Sequence, residues 1–252
     1  MTNAEMLHQI AQLQASADPA TKKELAKMAA ALEEKVRADA AKSCGCGNAA
    51  ATLEKMFKGQ TNHKLAGAWT DEKGRQCICD GFRGYRLHKA LPLTQLDKDV
   101  VPFDLSKIID PLETRENVPV NVPSVKEIKE FIALERAKSA NGDKRGKKAD
   151  TVMDLGRGLP AVNARYLLEL LTVLPDVKVY AKKGGRLEPL YAVSERGDAI
   201  VLPVRTPEKE QADKLEKRAH DLIAKLAGKD GEQPIISIGD LALLADARSA
   251  TA

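Results

Sequence analysis

Aromatic residues are scarce. One Trp, four Tyr and four Phe make up 4% of a 252-residue chain. Stacking on nucleic-acid bases needs exposed rings, so it is not expected as the main binding device. No apolar run reaches the roughly 18 residues that a membrane-spanning helix requires. The segment MTNAEMLHQIAQ lacks a basic stretch leading into an apolar block, so it does not read as a secretory signal. A cytoplasmic location with reduced cysteines is the expectation. Only four histidines occur, His8, His63, His88 and His220, and none lies at a catalytic spacing from Ser, Cys or a carboxylate. Phosphate-cradling glycine loops are missing as well. Gly156-Arg157-Gly158 precedes a helix but has neither the Walker lysine nor the GxGxxG spacing. Nothing singles out a working pair among the 36 acids. These absences point away from an enzyme, and no cofactor is expected.

What is present describes a soluble chain. Hydrophobic residues are 43%, charged residues 30%, and the net charge is +4. That balance neither demands nor excludes nucleic acid. The four cysteines form two CxC pairs, Cys44 with Cys46 and Cys77 with Cys79. Four thiolates can hold zinc in a tetrahedron, but the usual spacing is CxxC. CxC within a strand places both sulfurs on one face, which fits buried small residues; the other pair reads as a flexible CGC. No metal site is therefore assigned. Between Lys138 and Lys148 five cations, Lys138, Lys144, Arg145, Lys147 and Lys148, stand against Asp143. Lys144, Arg145, Lys147 and Lys148 are candidates for contact with a phosphate backbone, which would be salt-sensitive; a solvated loop is the competing reading.

Periodicity divides the chain. Residues 4–41 read as helix, with Leu7, Ile10 and Leu13 on one stripe. Asp18-Pro19 is a start signal, and Leu25, Met28, Leu32 and Val36 follow at helical spacing. Ser43-Cys-Gly-Cys-Gly-Asn48 breaks the helix. Residues 68–79 read as a hairpin turning at Asp71–Gly74, and Tyr85–Leu87 as a further strand. Residues 94–123 read as irregular, with 118–123 extended. Ser124-Val-Lys-Glu127 is a capping box for a helix that buries Val125, Ile128, Phe131 and Ile132. Asn163 caps another, with Leu167, Leu170, Leu171 and Leu174 inward. Three strands follow, at 177–181, 187–193 and 199–205, with Ile200, Leu202 and Val204 sharing a face. Thr206-Pro207 opens a last helix with Leu215, Ala219, Leu222 and Leu226, ending at Gly228. The pattern is α+β, antiparallel sheet packed with helices. Residues 1–50 form a helical extension, 51–206 the α+β domain with its basic loop at 139–150, and 207–252 a helix and tail.

Two segments resemble the bacterial DNA polymerase III β sliding clamp family. Asp80-Gly81, then Gly84-Tyr85-Arg86-Leu87 and Leu91-Pro92-Leu93, are similar to a clamp strand with a short proline-bearing end. Val120-Asn-Val-Pro123-Ser-Val-Lys-Glu-Ile128 is similar to the strand-to-helix element that follows it. Val162-Asn-Ala-Arg-Tyr-Leu-Leu168, three strands and Leu202-Pro203-Val204-Arg205 resemble the clamp C-terminal domain. The resemblance covers about residues 57–205, one clamp-like unit where a clamp chain has about three domains. It implies a DNA-clamp fold and a non-enzymatic role in DNA replication or repair, or in a mobile element that modulates it. Short peptides of replication or repair proteins are the implied partners, with double-stranded DNA and a homo-oligomer left open. The peptide pocket it implies has Gly84, Tyr85, Arg86 and Leu87 on one side and Leu202, Pro203, Val204 and Arg205 on the other, with arginine stems as walls and their charges in water. A regulatory interaction protein that reuses this fold without DNA is the alternative.

Overall fold

A computed structural model describes residues 2–140, 151–156 and 158–206, and beyond these residues 210, 211, 213, 214 and 217. The candidate phosphate contacts Lys144, Arg145, Lys147 and Lys148 lie outside the described residues. So do Leu215, Ala219, Leu222, Leu226 and Gly228 of the expected last helix.

The start signal at Asp18-Pro19 acts as read, and the chain carries an earlier cap that the sequence reading did not single out. Helix α1 (Asn3–Ser16) opens on a capping box: the Glu5 N–H donates to the Thr2 hydroxyl at 3.2 Å, and the Thr2 N–H donates to the Glu5 carboxylate at 2.6 Å. Helix α2 (Pro19–Ser43) has Pro19 in its first turn, and Asp18 Oδ1 accepts from the N–H groups of Ala20 and Thr21. No residue of α1 is buried, and in α2 only Ala41 is. Cys44-Gly45-Cys46 turns the chain into helix α3 (Gly47–Phe57), which buries Ala49, Ala50, Leu53, Met56 and Phe57. This helix was not expected. After a 3₁₀ turn at His63–Leu65 come strands β1 (Trp69–Thr70), β2 (Gln76–Cys79) and β3 (Arg83–Leu87).

Helix α4 (Ser106–Thr114) lies in the stretch expected to be irregular and carries Pro111 inside it. Strand β4 (Asn117–Pro119) precedes helix α5 (Val125–Ala140). The α5 capping box is present: the Glu127 N–H donates to Ser124 Oγ at 3.3 Å, and the Ser124 N–H to the Glu127 carboxylate at 2.7 Å. Ile128 and Ile132 are buried as expected, while Val125, the first helical residue, is 39% exposed. Strands β5 (Val152–Asp154) and β6 (Ala161–Asn163) pair antiparallel as a small second sheet that periodicity did not reveal. Helix α6 (Ala164–Val173) starts after Asn163, whose side-chain oxygen accepts from the Arg165 N–H at 3.0 Å. Strands β7 (Lys178–Lys182), β8 (Leu190–Ser194) and β9 (Gly197–Val201) follow. Strand β9 ends at Val201 rather than Arg205. Pro203 has no N–H for a ladder, so pairing stops before it.

The chain forms two compact units. The first takes in the described residues within Met1–Lys107, Glu169–Asp176 and Ser194–Asp198; the second takes in those within Ile108–Leu168, Val177–Val193 and Ala199–Ala252. In the first, β1 pairs antiparallel with β2 and β2 with β3, and the opening residues of β9 lie beside β3. Its core holds Leu53, Ile78, Tyr85, Leu87, Leu170 and Leu174. In the second, the rest of β9 neighbours β8, and β8–β7 and β7–β4 pair antiparallel. Ile109, Ile128, Val162, Leu167, Leu190 and Val201 are its innermost apolar residues. Each fully buried Leu or Ile contributes roughly 2 kcal/mol of transfer free energy. The architecture is α+β, helices with antiparallel sheet.

Candidate functional site

The β2–β3 hairpin is built by one aspartate. Asp80 Oδ1 accepts from the Phe82 and Arg83 N–H groups, both at 2.9 Å, and Oδ2 accepts from Arg83 Nε at 2.9 Å. The short polar side chain closes the turn on its own backbone. Phe82 is left 59% exposed at the tip. Arg83 is folded inward, between Asp80 and the carboxylate of Glu169 on α6.

All four β3 residues of the expected site are buried. In register, Gly84 faces Cys79, Tyr85 faces Ile78, Arg86 faces Cys77 and Leu87 faces Gln76. Among the described residues the Tyr85 hydroxyl has no hydrogen-bond partner, and burial pushes its ionisation up. Arg86 is fully buried and grips Asp198 with both arms of the guanidinium: Nε donates to Oδ1 at 2.8 Å and a terminal nitrogen to Oδ2 at 2.5 Å. Its charge therefore meets a carboxylate and not water, unlike the pocket wall expected from sequence. The bidentate geometry, and the hydrogen bonds that come with it, is what makes such a buried pair tolerable.

In the second unit, Leu202, Pro203 and Val204 are half-buried and Arg205 is exposed. The Val204 N–H anchors this stretch by donating to the Ala161 carbonyl at 2.7 Å. Arg205 approaches Glu210 at 4.0 Å near the surface. Three apolar side chains thus stand partly in water just past a strand end.

A further feature had no motif to announce it. A cleft of about 360 Å³ lies between α2 and α3 in the first unit. Ala38, Ala41, Ala50, Ala51 and Pro92 give it an apolar floor. Arg37, Glu54 and Lys58 stand at its walls. Glu54 is held by the Thr94 N–H at 2.6 Å and the Thr94 hydroxyl, with Arg37 at 3.6 Å; Lys58 pairs with Glu34 at 3.0 Å. The only trace in the sequence is a set of alanines at helical spacing, which reads equally well as plain helix.

The cysteines separate by environment. Cys77 and Cys79 are buried in β2. Burial first, with the charge of Asp71, pushes the Cys77 thiol up to about 12. Burial also lifts Cys79. Cys44 is exposed and Cys46 half-buried. Among the described residues no three His, Cys, Asp or Glu side chains come together as metal ligands.

No family model matches the chain, and no curated protein matches its sequence. Two solved structures are similar to it. One is a DnaN sliding clamp (DNA polymerase III subunit beta) from Bartonella birtlesii bound to griselimycin. It is 13% identical, with a TM-score of 0.42, and the match covers 63% of this chain and 64% of that one. The other is the DNA polymerase III beta subunit from Thermotoga maritima, 15% identical, with a TM-score of 0.30, covering 52% of this chain and 42% of that one. The match spans less than two thirds of either clamp chain. At this depth of likeness no family membership follows, and neither structure assigns a role to a residue here. Among the described residues no helix is long and apolar enough to cross a membrane.

Proposed function

We propose that this chain is a non-enzymatic, clamp-like protein of DNA replication or repair, or of a mobile element that modulates it, and that it works by binding short partner peptides. The observation that carries the reading is the Leu202-Pro203-Val204 segment, half-buried beyond the end of β9 with Arg205 in water beside it. Such a segment can take an apolar peptide anchor, at about 25 cal/mol for each Å² removed from water. Arg205 supplies a charge for a carboxylate on the same peptide. Gly84, Tyr85, Arg86 and Leu87 enter this reading as the buried scaffold of their own unit. The sequence resemblance to clamps supports it, since the helix, the three strands and Leu-Pro-Val-Arg follow in the same order.

Double-stranded DNA is the second proposed partner, through Lys144, Arg145, Lys147 and Lys148. The alternative is an interaction protein that uses the fold without DNA, which the small net charge of +4 favours.

The deciding experiment measures anisotropy of a fluorescein-labelled peptide from the clamp-binding tail of a replicative polymerase. Saturable binding to the wild type is expected, weakened at least roughly tenfold in a Leu202→Asp, Val204→Asp variant whose circular dichroism is unchanged. No binding to the wild type, or equal binding by the folded variant, overturns the peptide reading. Retention on a DNA column at about 50 mM but not at about 200 mM salt supports the DNA contact. Flow-through at the lower salt decides for the alternative.

A further inference from the structure

Cys44 and Cys46 occupy the turn between α2 and α3. Cys44 follows the last residue of α2, and Cys46 is the N-cap of α3, which has no side-chain hydrogen bond at its cap. Gly45 between them takes φ +70, a left-handed conformation open to glycine, and nothing stands within 4 Å of where its Cβ would be. The turn folds the two cysteines toward each other. Cys44 Sγ donates to the Ala41 carbonyl at 3.3 Å and Cys46 Sγ to the Cys44 carbonyl at 3.5 Å, so the second thiol folds back over the backbone of the first cysteine. Successive Cα atoms are about 3.8 Å apart, so across a turn residues i and i+2 fall within the span of about 4.4–6.8 Å that a disulfide accepts.

The two thiols are not equivalent. Cys44 is exposed to an incoming reagent, whereas Cys46 is half-covered. Burial, and then the neighbouring thiol, holds Cys46 above the usual range, while Arg196 and Lys89 pull it down. Cys77 and Cys79, in contrast, are shut inside β2.

We propose that Cys44 and Cys46 form a thiol–disulfide exchange site for low-molecular-weight disulfides, with Cys44 attacking and Cys46 resolving. The Cys44 thiolate attacks one sulfur of the small disulfide. An S–S bond forms to Cys44, and the first small thiolate leaves and takes up a proton. The Cys46 thiolate then attacks the Cys44 sulfur, and the second small thiolate leaves and is protonated. The protein dithiol loses two electrons and two protons, and the small disulfide gains them as two thiols. A disulfide closing so small a ring is strained, which makes it an oxidising and readily reversed one rather than a structural staple.

The chain provides a clean assay. Trypsin, cutting after Lys42 and Lys55, places Cys44 and Cys46 together in Ser43–Lys55; cutting after Arg75 and Arg83 places Cys77 and Cys79 in Gln76–Arg83. The full-length protein is equilibrated in graded oxidised and reduced glutathione, quenched with iodoacetamide, digested and weighed. Ser43–Lys55 is expected to pass from doubly alkylated to unalkylated, about 2 Da lighter than the same peptide with two free thiols, without a lasting glutathione adduct. Cys46→Ser is expected to accumulate glutathione on Cys44. Cys44→Ser is expected to react at least roughly tenfold more slowly at Cys46, because its thiol is covered. A wild type that retains glutathione on Cys44, stays alkylatable across the whole series, or forms disulfide-linked dimers overturns the proposal. Matching circular dichroism of the serine variants separates a lost thiol from a lost fold.

Discussion

A guanidinium with none of its surface exposed must find its counter-charge inside the protein. Arg86 finds it in Asp198, bound through two parallel hydrogen bonds. Removing the carboxylate strands a buried cation, and the cost then exceeds what the pair itself contributes. Asp198→Ala is expected to lower stability by about 3–5 kcal/mol, read as a shift in the urea midpoint at constant slope. Replacing both partners with apolar residues, Arg86→Met with Asp198→Leu, is expected to recover most of that loss. If the double variant is no more stable than Asp198→Ala, then Asp198 stabilises the fold through something other than the charge of Arg86. The same pair shows why the burial of Arg86 was not legible in the sequence. An arginine on a strand reads as a surface residue unless its partner is known, and no local signal links Arg86 to an aspartate so far along the chain.

The elements themselves were legible where a local device sets them. Asp18-Pro19 and the Ser124–Glu127 box announce α2 and α5 because their hydrogen bonds close within three residues. Asn163 announces α6 in the same way. Helix α3 opens at Gly47 with no side-chain cap, and α4 holds a proline, so neither carries the usual mark. Strands β5 and β6 are three residues each, too short for an alternation to register. The start of β9 is set by packing. A Cβ on Gly197 would stand 2.1 Å from the Arg86 carbonyl oxygen and 2.9 Å from Leu87 Cα. Backbone atoms cannot yield as a flexible side chain can. Gly197→Ala is therefore expected to destabilise by about 3 kcal/mol and to lower the melting temperature by roughly 6–12 °C, measured by calorimetry. An unchanged melting temperature would mean that the two strands do not approach this closely.

At the scale of the molecule, the first unit is assembled from three separated pieces of chain. A fragment of residues 1–168 keeps α1–α3 and β1–β3 but loses Glu169 beside Arg83 and Asp198 beside Arg86. It is expected to melt without a cooperative transition and to be cut by protease within the β2–β3 region; a sharp transition would show that residues 1–107 hold together unaided. The same feature bears on how the chain comes off the ribosome. Asp198 is made 112 residues after Arg86. At roughly 5–20 residues per second, about 6–22 s of translation pass before the charge that neutralises Arg86 exists. The first unit thus cannot close until synthesis has passed Asp198, and the nascent chain must keep β3 solvated or chaperoned until then.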